Sequence, residues 1–277
     1  MKTYFLFFLM IFVVISCATN PFTGKKTMAL VPNSQILPMA FEQYNQFLSE
    51  NKVVTGTAEA DMVKRVGQRI SIAAKRWLDA NNFPGYLKDY KWEYNLVEDE
   101  TVNAWCMPGG KIVFYTGIMP IASSETGVAA IMGHEVAHAL ANHGQQRMSA
   151  GLLQQAGAAA GNFAFKDDKQ RDIFNMAYGV GTTVGGILPF SRGHESEADK
   201  IGVYIMAIAG YDPYEASKLW ERMKASKSDK KGPPEFLSTH PSNDSRIDNL
   251  SALAPKAKAE AEKFGVTQFR KNLTILK

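Results

Sequence analysis

The sequence is poor in cysteine, with only Cys17 and Cys106 among its 277 residues. Two cysteines cannot form the disulfide framework of a small secreted domain, so the fold must depend on its own hydrophobic core. The chain also lacks internal repeats, low-complexity tracts and clustered basic residues, and its formal net charge is only +4. These absences exclude a repeat array and argue against a nucleic-acid partner. With 45% hydrophobic and 21% charged residues, the composition predicts one globular domain over residues 17–277.

An uncharged apolar run occupies residues 4–15. It is too short to span a bilayer permanently but is typical of the core of a secretory signal. No A-x-A cleavage site follows it, and residues 14–17 read Val-Ile-Ser-Cys, which resembles the lipobox of bacterial lipoproteins. The resemblance implies a signal peptide over residues 1–16 and a lipid anchor on Cys17, which would hold the mature protein in the cell envelope. Ala18, the residue after this cysteine, favours sorting to the periplasmic face of the outer membrane. The alternative to a lipobox is a plain signal peptide with an accidental cysteine.

The most informative motif is His-Glu-Val-Ala-His at residues 134–138. On a helix, His134 and His138 lie one turn apart on the same face, so both imidazoles can bind one metal ion. Glu135 lies beside them, where a general base can reach a water held on that metal. Apolar residues at helical spacing around the motif indicate a buried helix. The alternative is a chance match on an amphipathic surface helix.

A catalytic zinc usually takes three protein ligands, so a third must come from elsewhere in the chain. The best candidate region is an acidic cluster, Glu-Ser-Glu-Ala-Asp beginning at Glu195, which opens a second apolar helix. Glu195 and Asp199 share a face of that helix, so one can bind metal while Asp199 accepts a hydrogen bond from a bound histidine. Spacing alone leaves Glu197 as an alternative ligand, since both glutamates could simply favour the helix dipole. His194 and His143 are interpreted as surface histidines.

Together these motifs resemble a family of zinc metallopeptidases that includes the CAAX prenyl proteases, the heat-shock protease HtpX and periplasmic lipoprotein proteases such as LoiP and BepA. The chain looks most similar to the periplasmic proteases, without a repeat domain. In family order it carries Asn-Pro-Phe-Thr-Gly at residues 20–24, Asn-Ala at 103–104, Pro-Gly-Gly at 108–110, the histidine motif, the acidic cluster, Thr-His-Pro at 239–241 and Arg-Ile at 246–247.

The resemblance implies a fold and a ligand set. The expected fold is α+β and mainly helical, a zincin domain of the gluzincin type with a small sheet edging the active-site cleft. Glu195 matches the family's third zinc ligand, and one Zn²⁺ is expected per chain. Asn103 and Ala104 match the edge strand that pairs with extended substrate, a contact that tolerates many sequences.

Hydrophobic periodicity predicts two helices and three strands before the metal helix. The helices cover residues 33–50 and 58–80, and the strands cover residues 92–97, 103–107 and 111–116. A Pro-Gly-Gly turn joins the last two strands. Farther along, residues 173–191 are uncharged and rich in small side chains. They predict either a membrane-contacting segment or close-packed helices beside the cleft.

The predicted function is that of a zinc-dependent endopeptidase that cleaves unfolded, damaged or misassembled envelope proteins, as the resemblance implies. Glu135 would take a proton from water and deliver it to the leaving amine. Arg246, or His240, is the candidate for stabilising the oxyanion. His240 is also a possible regulatory zinc ligand, similar to the behaviour proposed for periplasmic relatives, and contact with substrate is its alternative role. A noncatalytic chaperone-like peptide-binding lipoprotein and a zinc peptidoglycan endopeptidase are the other functions left open.

Overall fold

The computed structural model describes residues 17–147, 149, 188–226, 236–237, 240 and 244–271. The helices are α1 (Asn33–Glu50), α2 (Ala58–Ala80), α3 (Met119–Ala122), α4 (Glu125–Leu140), α5 (Leu188–Ile208), α6 (Glu215–Ala225) and α7 (Asp244–Glu262). The strands are β1 (Cys17–Thr19), β2 (Lys26–Met28), β3 (Val53–Val54), β4 (Glu93–Val97), β5 (Ala104–Met107) and β6 (Lys111–Tyr115). The predicted α+β fold, mainly helical with a small sheet, is confirmed.

Contacts divide the chain into two compact units, each assembled from two segments. The first contains residues 1–36 and 141–194, and the second contains residues 37–140 and 195–277. The single domain expected over residues 17–277 stays a prediction.

In the first unit, β1 and β2 form an antiparallel pair in which Cys17 and Met28 are backbone register partners. His143 and His194 are also in this unit, and both are buried. Their rings stack with centroids 4.1 Å apart, and Nε2 of His194 lies 3.2 Å from Oε1 of Gln146. The interpretation of these two histidines as surface residues was therefore wrong. The stacked rings and the contact of His194 with Gln146 lie in the interior, and neither contact is visible as a local sequence pattern.

The second unit contains a four-stranded sheet in the order β3-β4-β6-β5. Strands β4 and β6 are parallel, and the other two pairs are antiparallel. Among the described strands, β5 therefore lies at one edge of the sheet. The turn between β5 and β6 passes through Gly109 and Gly110, whose φ values of 82° and 84° disfavour any residue with a side chain. The predicted strands agree with the observed ones to within one residue at each end.

The sheet is covered by helices on both faces. On one face, Tyr44 of α1 packs with Val97 and Val113, and Trp105 of β5 contacts the same cluster. On the other face, α2 packs against β4 and α4 packs against β5. A side chain at Gly67 of α2 would meet the ring of Tyr94, so this glycine sets the close contact between helix and sheet.

Helix α2 and helix α4 have clear start signals. The hydroxyl of Thr57 accepts a hydrogen bond of 3.2 Å from the backbone N–H of Ala60 and so caps α2. The hydroxyl of Ser124 accepts one of 3.1 Å from the N–H of Gly127 at the start of α4. Every residue of α4 is buried, so the histidine motif lies on a core helix, and a surface helix is excluded.

Among the described residues, no helix is both long and apolar enough to cross a membrane. The predicted signal peptide at residues 1–16 lies outside the described residues. So does most of the segment 173–191, for which membrane contact or helix packing was expected, because only its last residues belong to α5.

Candidate metal centre

Four buried side chains converge at one point: His134, His138, Glu195 and His240. One nitrogen or carboxylate oxygen from each lies within 4.8 Å of the others. Helix α4 supplies the first two histidines from successive turns, and α5 supplies the glutamate. His240 lies outside the helices, and its backbone N–H donates a 2.8 Å hydrogen bond to the carbonyl of Phe236.

The spacing of these atoms can be compared with that around a metal ion. Nε2 of His134 lies 3.1 Å from Nε2 of His138 and 3.3 Å from Oε2 of Glu195. Nε2 of His138 lies 3.3 Å from Oε1 of Glu195, and Nδ1 of His240 lies 3.2 Å from Nε2 of His134. Around a tetrahedral zinc with bonds of about 2.0–2.1 Å, neighbouring ligand atoms are about 3.3–3.4 Å apart. The donor set and its spacing therefore fit a small tetrahedral cation.

The far side of His134 faces a second acidic residue. Its Nδ1 lies 3.0 Å from Oδ1 of Asp199, so an N–H there can donate to the carboxylate. That hydrogen bond leaves the lone pair on Nε2 directed at the other donors, which is the tautomer a metal requires. The acid expected to orient a metal-binding histidine thus lies beside His134.

Arg246 holds this carboxylate in place. Its Nε and Nη2 each donate a hydrogen bond of 2.7 Å to Asp199, and Nη2 lies 3.2 Å from Oε2 of Glu195. The guanidinium carbon lies 3.6 Å from the centre of the Trp220 ring, which adds a cation–π contact. These contacts direct Arg246 at the acidic residues of α5, and its role at an oxyanion stays a prediction.

Charge within the group is strongly coupled. Burial alone would raise the pKa of Glu195, but hydrogen bonds to the surrounding imidazoles hold the pKa of this carboxyl well below its usual range. Burial acts the same way on Asp199, where Arg246 and His134 keep the pKa low. Burial would lower the pKa of His134, yet contacts with the two carboxylates raise it to about 9. For His138 burial dominates, and its pKa lies well below the usual value. Two buried anions therefore favour a positive charge among the imidazoles, whether carried by protons or by a metal.

Glu135 is adjacent to the group without belonging to it. Its side chain is buried, and its Oε1 lies 3.5 Å from Nε2 of His240. A carboxylate placed next to, but not among, the four donors can exchange a proton with a molecule bound there.

The predicted substrate strand passes close to this acid. Asn103 precedes β5 and Ala104 begins it, and the side chain of Asn103 accepts a hydrogen bond of 2.9 Å from the N–H of Ala104. Burial raises the pKa of the Cys106 thiol on the same strand, and the nearby Glu135 carboxylate adds to the shift. Helix α4, which carries the acid, packs against β5, so the edge strand lies beside the helix of the candidate base.

Two aromatic residues that the sequence did not single out complete the surroundings. The Phe236 ring lies 4.7 Å from that of His240 and 5.7 Å from that of Trp220. The N–H of Phe236 also donates a 3.1 Å hydrogen bond to the carbonyl of Val102, the residue before Asn103. Phe236, whose ring contacts His240, is thus attached to the chain just before the edge strand. Phe236 lies outside any periodic pattern, and Trp220 lies at ordinary helical spacing on α6, so neither residue carries a sequence signal that predicts these contacts.

Residues 63–254 match the sequence pattern of peptidase family M48. The chain belongs to this family. The matched range includes all four donors together with Glu135, Asp199 and Arg246. The prediction of a metallopeptidase from the family of HtpX and the CAAX prenyl proteases, built on a zincin domain, is confirmed at this level.

Three individual relatives show how similar the chain is to known proteases. The chain is 35% identical to the mitochondrial metalloendopeptidase OMA1 of Schizosaccharomyces pombe, over 64% of this chain and 50% of that protein. It is 37% identical to OMA1 of Saccharomyces cerevisiae, over 62% of this chain and 49% of that protein. It is 24% identical to the beta-barrel assembly-enhancing protease of Escherichia coli K12, over 65% of this chain and 38% of that protein. The expectation that the chain is most similar to the periplasmic proteases is therefore not supported, since both yeast proteins match at higher identity than the Escherichia coli protease. The chain spans about half the length, or less, of these relatives.

Proposed function

We propose that this chain is a zinc-dependent endopeptidase with one zinc ion held by His134, His138 and Glu195. The observation that carries the proposal is the convergence of these three buried donors next to a buried carboxylate, Glu135, that is not one of them. Two imidazoles and one carboxylate, with a fourth position for an exchangeable ligand, form the usual donor set of a hydrolytic zinc site. Membership of a peptidase family supports the same chemistry.

Zinc, when bound, supplies a Lewis acid that polarises the scissile carbonyl and lowers the pKa of water at the site to about 7. Glu135 takes the proton from the attacking water and carries it to the leaving amine. Asp199 keeps the Nε2 lone pair of His134 directed at the centre, and Arg246 keeps Asp199 ionised. Substrate lies extended along β5, where the backbone from Asn103 and Ala104 onwards offers main-chain hydrogen bonds that tolerate many sequences.

The proposed substrates are unfolded, damaged or misassembled proteins of the cell envelope. Backbone pairing at an edge strand requires an extended chain, which an unfolded protein presents and a folded one conceals. The likeness to a protease named for enhancing beta-barrel assembly supports an envelope role, whereas the OMA1 relatives are named as mitochondrial. A lipid on Cys17 would place the enzyme at the membrane surface, on the periplasmic face of the outer membrane.

His240 is proposed to hold the enzyme latent. Its Nδ1 lies 3.0 Å from both carboxylate oxygens of Glu195 and 3.2 Å from Nε2 of His134, so it occupies the side of the donor group where water would bind. A ligand that must leave before water can enter limits the fraction of active enzyme. Contact with substrate is the alternative role.

The test is metal analysis of the purified protein together with digestion of a reduced and alkylated, permanently unfolded protein. We expect one zinc per chain, internal cleavage of the unfolded substrate, loss of cleavage with a chelator and recovery when zinc is restored. Digestion of isolated peptidoglycan sacculi is the second part of the test. Cleavage of sacculi alone would replace the proposal with a peptidoglycan endopeptidase, and tight binding of unfolded protein without cleavage would replace it with a chaperone-like lipoprotein.

A further inference from the structure

Helices α4 and α5 touch backbone to backbone at one pair of glycines, Gly133 and Gly202. A Cβ atom added to Gly133 would lie 2.8 Å from the carbonyl oxygen of Gly202. A Cβ atom added to Gly202 would lie 2.8 Å from the carbonyl carbon of Gly133 and 2.9 Å from the backbone nitrogen of His134. Real Cβ atoms essentially never approach other atoms within 3.0 Å. Because the opposing atoms are backbone, no side chain can rotate aside to make room.

This contact lies beside the ligands. Gly133 immediately precedes His134, and Gly202 follows Asp199 by three residues and Glu195 by seven. Spacings of three, four and seven residues place Glu195, Asp199 and Gly202 on one face of α5. The face of α5 that carries both acids is therefore the face that touches the backbone of α4 at the first histidine.

We propose that the contact between Gly133 and Gly202 is the positioning element of the metal centre. Helices in proteins usually pack with their axes 8–10 Å apart, at a distance set by the side chains between them. Without side chains at the crossing, the axes approach more closely. The short side chain of Asp199 then reaches Nδ1 of His134 at 3.0 Å, while Glu195 reaches both histidines at 3.3 Å.

The expected loss of zinc affinity follows from the distances between an added Cβ atom and the opposing backbone. Ordinary contact of a Cβ atom begins at 3.4 Å, so a methyl group at either glycine must separate the backbones by about half an ångström or more. Functional sites require placement to within about 0.5 Å, and loss of an outer partner of a metal ligand typically weakens metal affinity about 10- to 100-fold. The inference rests on the proposed zinc site, since it concerns how that site is assembled.

The test compares Gly133→Ala and Gly202→Ala with two control variants. Gly193→Ala lies on the same helix as Gly202, and no described residue lies within 4 Å of its Cβ, so it measures the effect of alanine in α5 alone. Gly67→Ala places a methyl group 2.1 Å from the ring of Tyr94, in a helix that carries none of the proposed metal ligands, so it measures a packing clash at another contact. Zinc affinity is measured by competition with a chelator, and the geometry of the site by the visible absorption spectrum of the cobalt-substituted protein. Thermal unfolding of the metal-free protein reports stability.

We expect both crossing variants to bind zinc about 10- to 100-fold more weakly and to change the cobalt spectrum. Gly193→Ala should leave both properties unchanged, and Gly67→Ala should lower the melting temperature while keeping the zinc affinity of the wild type. Unchanged zinc affinity and cobalt spectrum in the crossing variants would overturn the proposal. So would failure of both to fold while Gly67→Ala folds, because the contact would then determine the fold and not the site. If the wild type itself binds no zinc, the proposed function is wrong, and this inference is lost with it.

Discussion

Nε2 of His240 lies 3.5 Å from Oε1 of Glu135, while Nδ1 of the same ring lies 3.2 Å from Nε2 of His134. One histidine outside the helices therefore faces both the donor group and the acid beside it. If His240 holds the enzyme latent, water or substrate that enters the site must displace this ring. The proposed latency would then depend on Phe236, whose N–H donates a hydrogen bond to the carbonyl of Val102 just before the edge strand.

Replacing His240 should activate the enzyme. We expect His240→Ala to raise basal cleavage of an unfolded protein several-fold, with self-digestion, because water no longer competes with an internal ligand. The double variant His240→Ala/Glu135→Gln is the control, and it should be inactive if the added cleavage comes from this site. A lower kcat/KM in the single variant would instead assign His240 to substrate binding.

Glu135 and His138 should separate catalysis from metal binding. Glu135→Gln should keep one zinc per chain and lose about 10²- to 10⁴-fold in kcat, because the amide cannot accept the proton of the attacking water. His138→Ala should lose both zinc and activity, because it removes a ligand. Metal analysis and initial rates on the same preparations check both variants. Full activity of Glu135→Gln would show that another group is the base.

Arg246 should act through Asp199. We expect Arg246→Gln to weaken zinc binding by about tenfold or more, since Asp199 would lose two charge-assisted hydrogen bonds and hold His134 less firmly. Arg76→Gln, at an exposed position of α2, is the matched control, because this arginine donates its hydrogen bond to the carbonyl of Phe264, and the variant should leave zinc affinity unchanged. If Arg246→Gln lowers kcat while the zinc affinity stays that of the wild type, the arginine stabilises the oxyanion.

Cys17 should decide membrane attachment. Cys17→Ala should prevent lipid attachment and move the protein from the membrane fraction to the soluble fraction, with its zinc content unchanged. Fractionation with a carbonate wash and mass analysis of the mature N-terminus measure this. If the variant stays in the membrane fraction, residues 173–191 become the better candidate for the membrane anchor.

Glu125 should make the fold sensitive to acid. This buried acid accepts hydrogen bonds from Arg65 at 2.8 Å, Arg69 at 3.1 Å and Tyr211 at 2.9 Å. Burial raises the pKa of Glu125, but Arg65 and Tyr211 outweigh it, so the pKa is lower than in an unfolded chain. A lowered pKa contributes stability above the unfolded value of about 4.3, and the contribution is lost as the pH falls through the folded value.

We therefore expect Glu125→Gln to reduce the free energy of unfolding by about 2 kcal/mol at pH 7, a modest value because both arginines are partly exposed. The stabilities of the variant and the wild type should converge below about pH 4. Denaturant unfolding of the two proteins between pH 3 and 7 gives the comparison. A constant difference across that range would contradict the role assigned to the carboxylate.

Much of this protein is readable from local patterns. Helices over residues 33–50 and 58–80 follow from apolar residues at a period of 3.6, because the buried face of such a helix must repeat at that interval. The pairing of His134 with His138 follows from the same geometry, since residues four apart share a helical face. The choice of Glu195 over Glu197 needed the family resemblance, because spacing allowed both.

Other features depend on residues that are distant in sequence. His143 and His194 were expected at the surface, yet they stack in the interior because the fold brings together two residues 51 positions apart. The aromatic surroundings of the centre, Trp220 and Phe236, were missed for the same reason. No local periodicity records a contact between side chains on different elements.

The sequence by itself determined the chemistry: two imidazoles one turn apart, an acid beside them, and a second acidic helix to supply a third ligand. These depend on residue type and helical spacing, which short-range geometry sets. Only the tertiary structure decided the distances. That Asp199 reaches Nδ1 of His134, that His240 enters the donor group, and that Gly133 and Gly202 let two backbones touch are results of how helices pack, because packing is set by contacts between segments far apart in the chain.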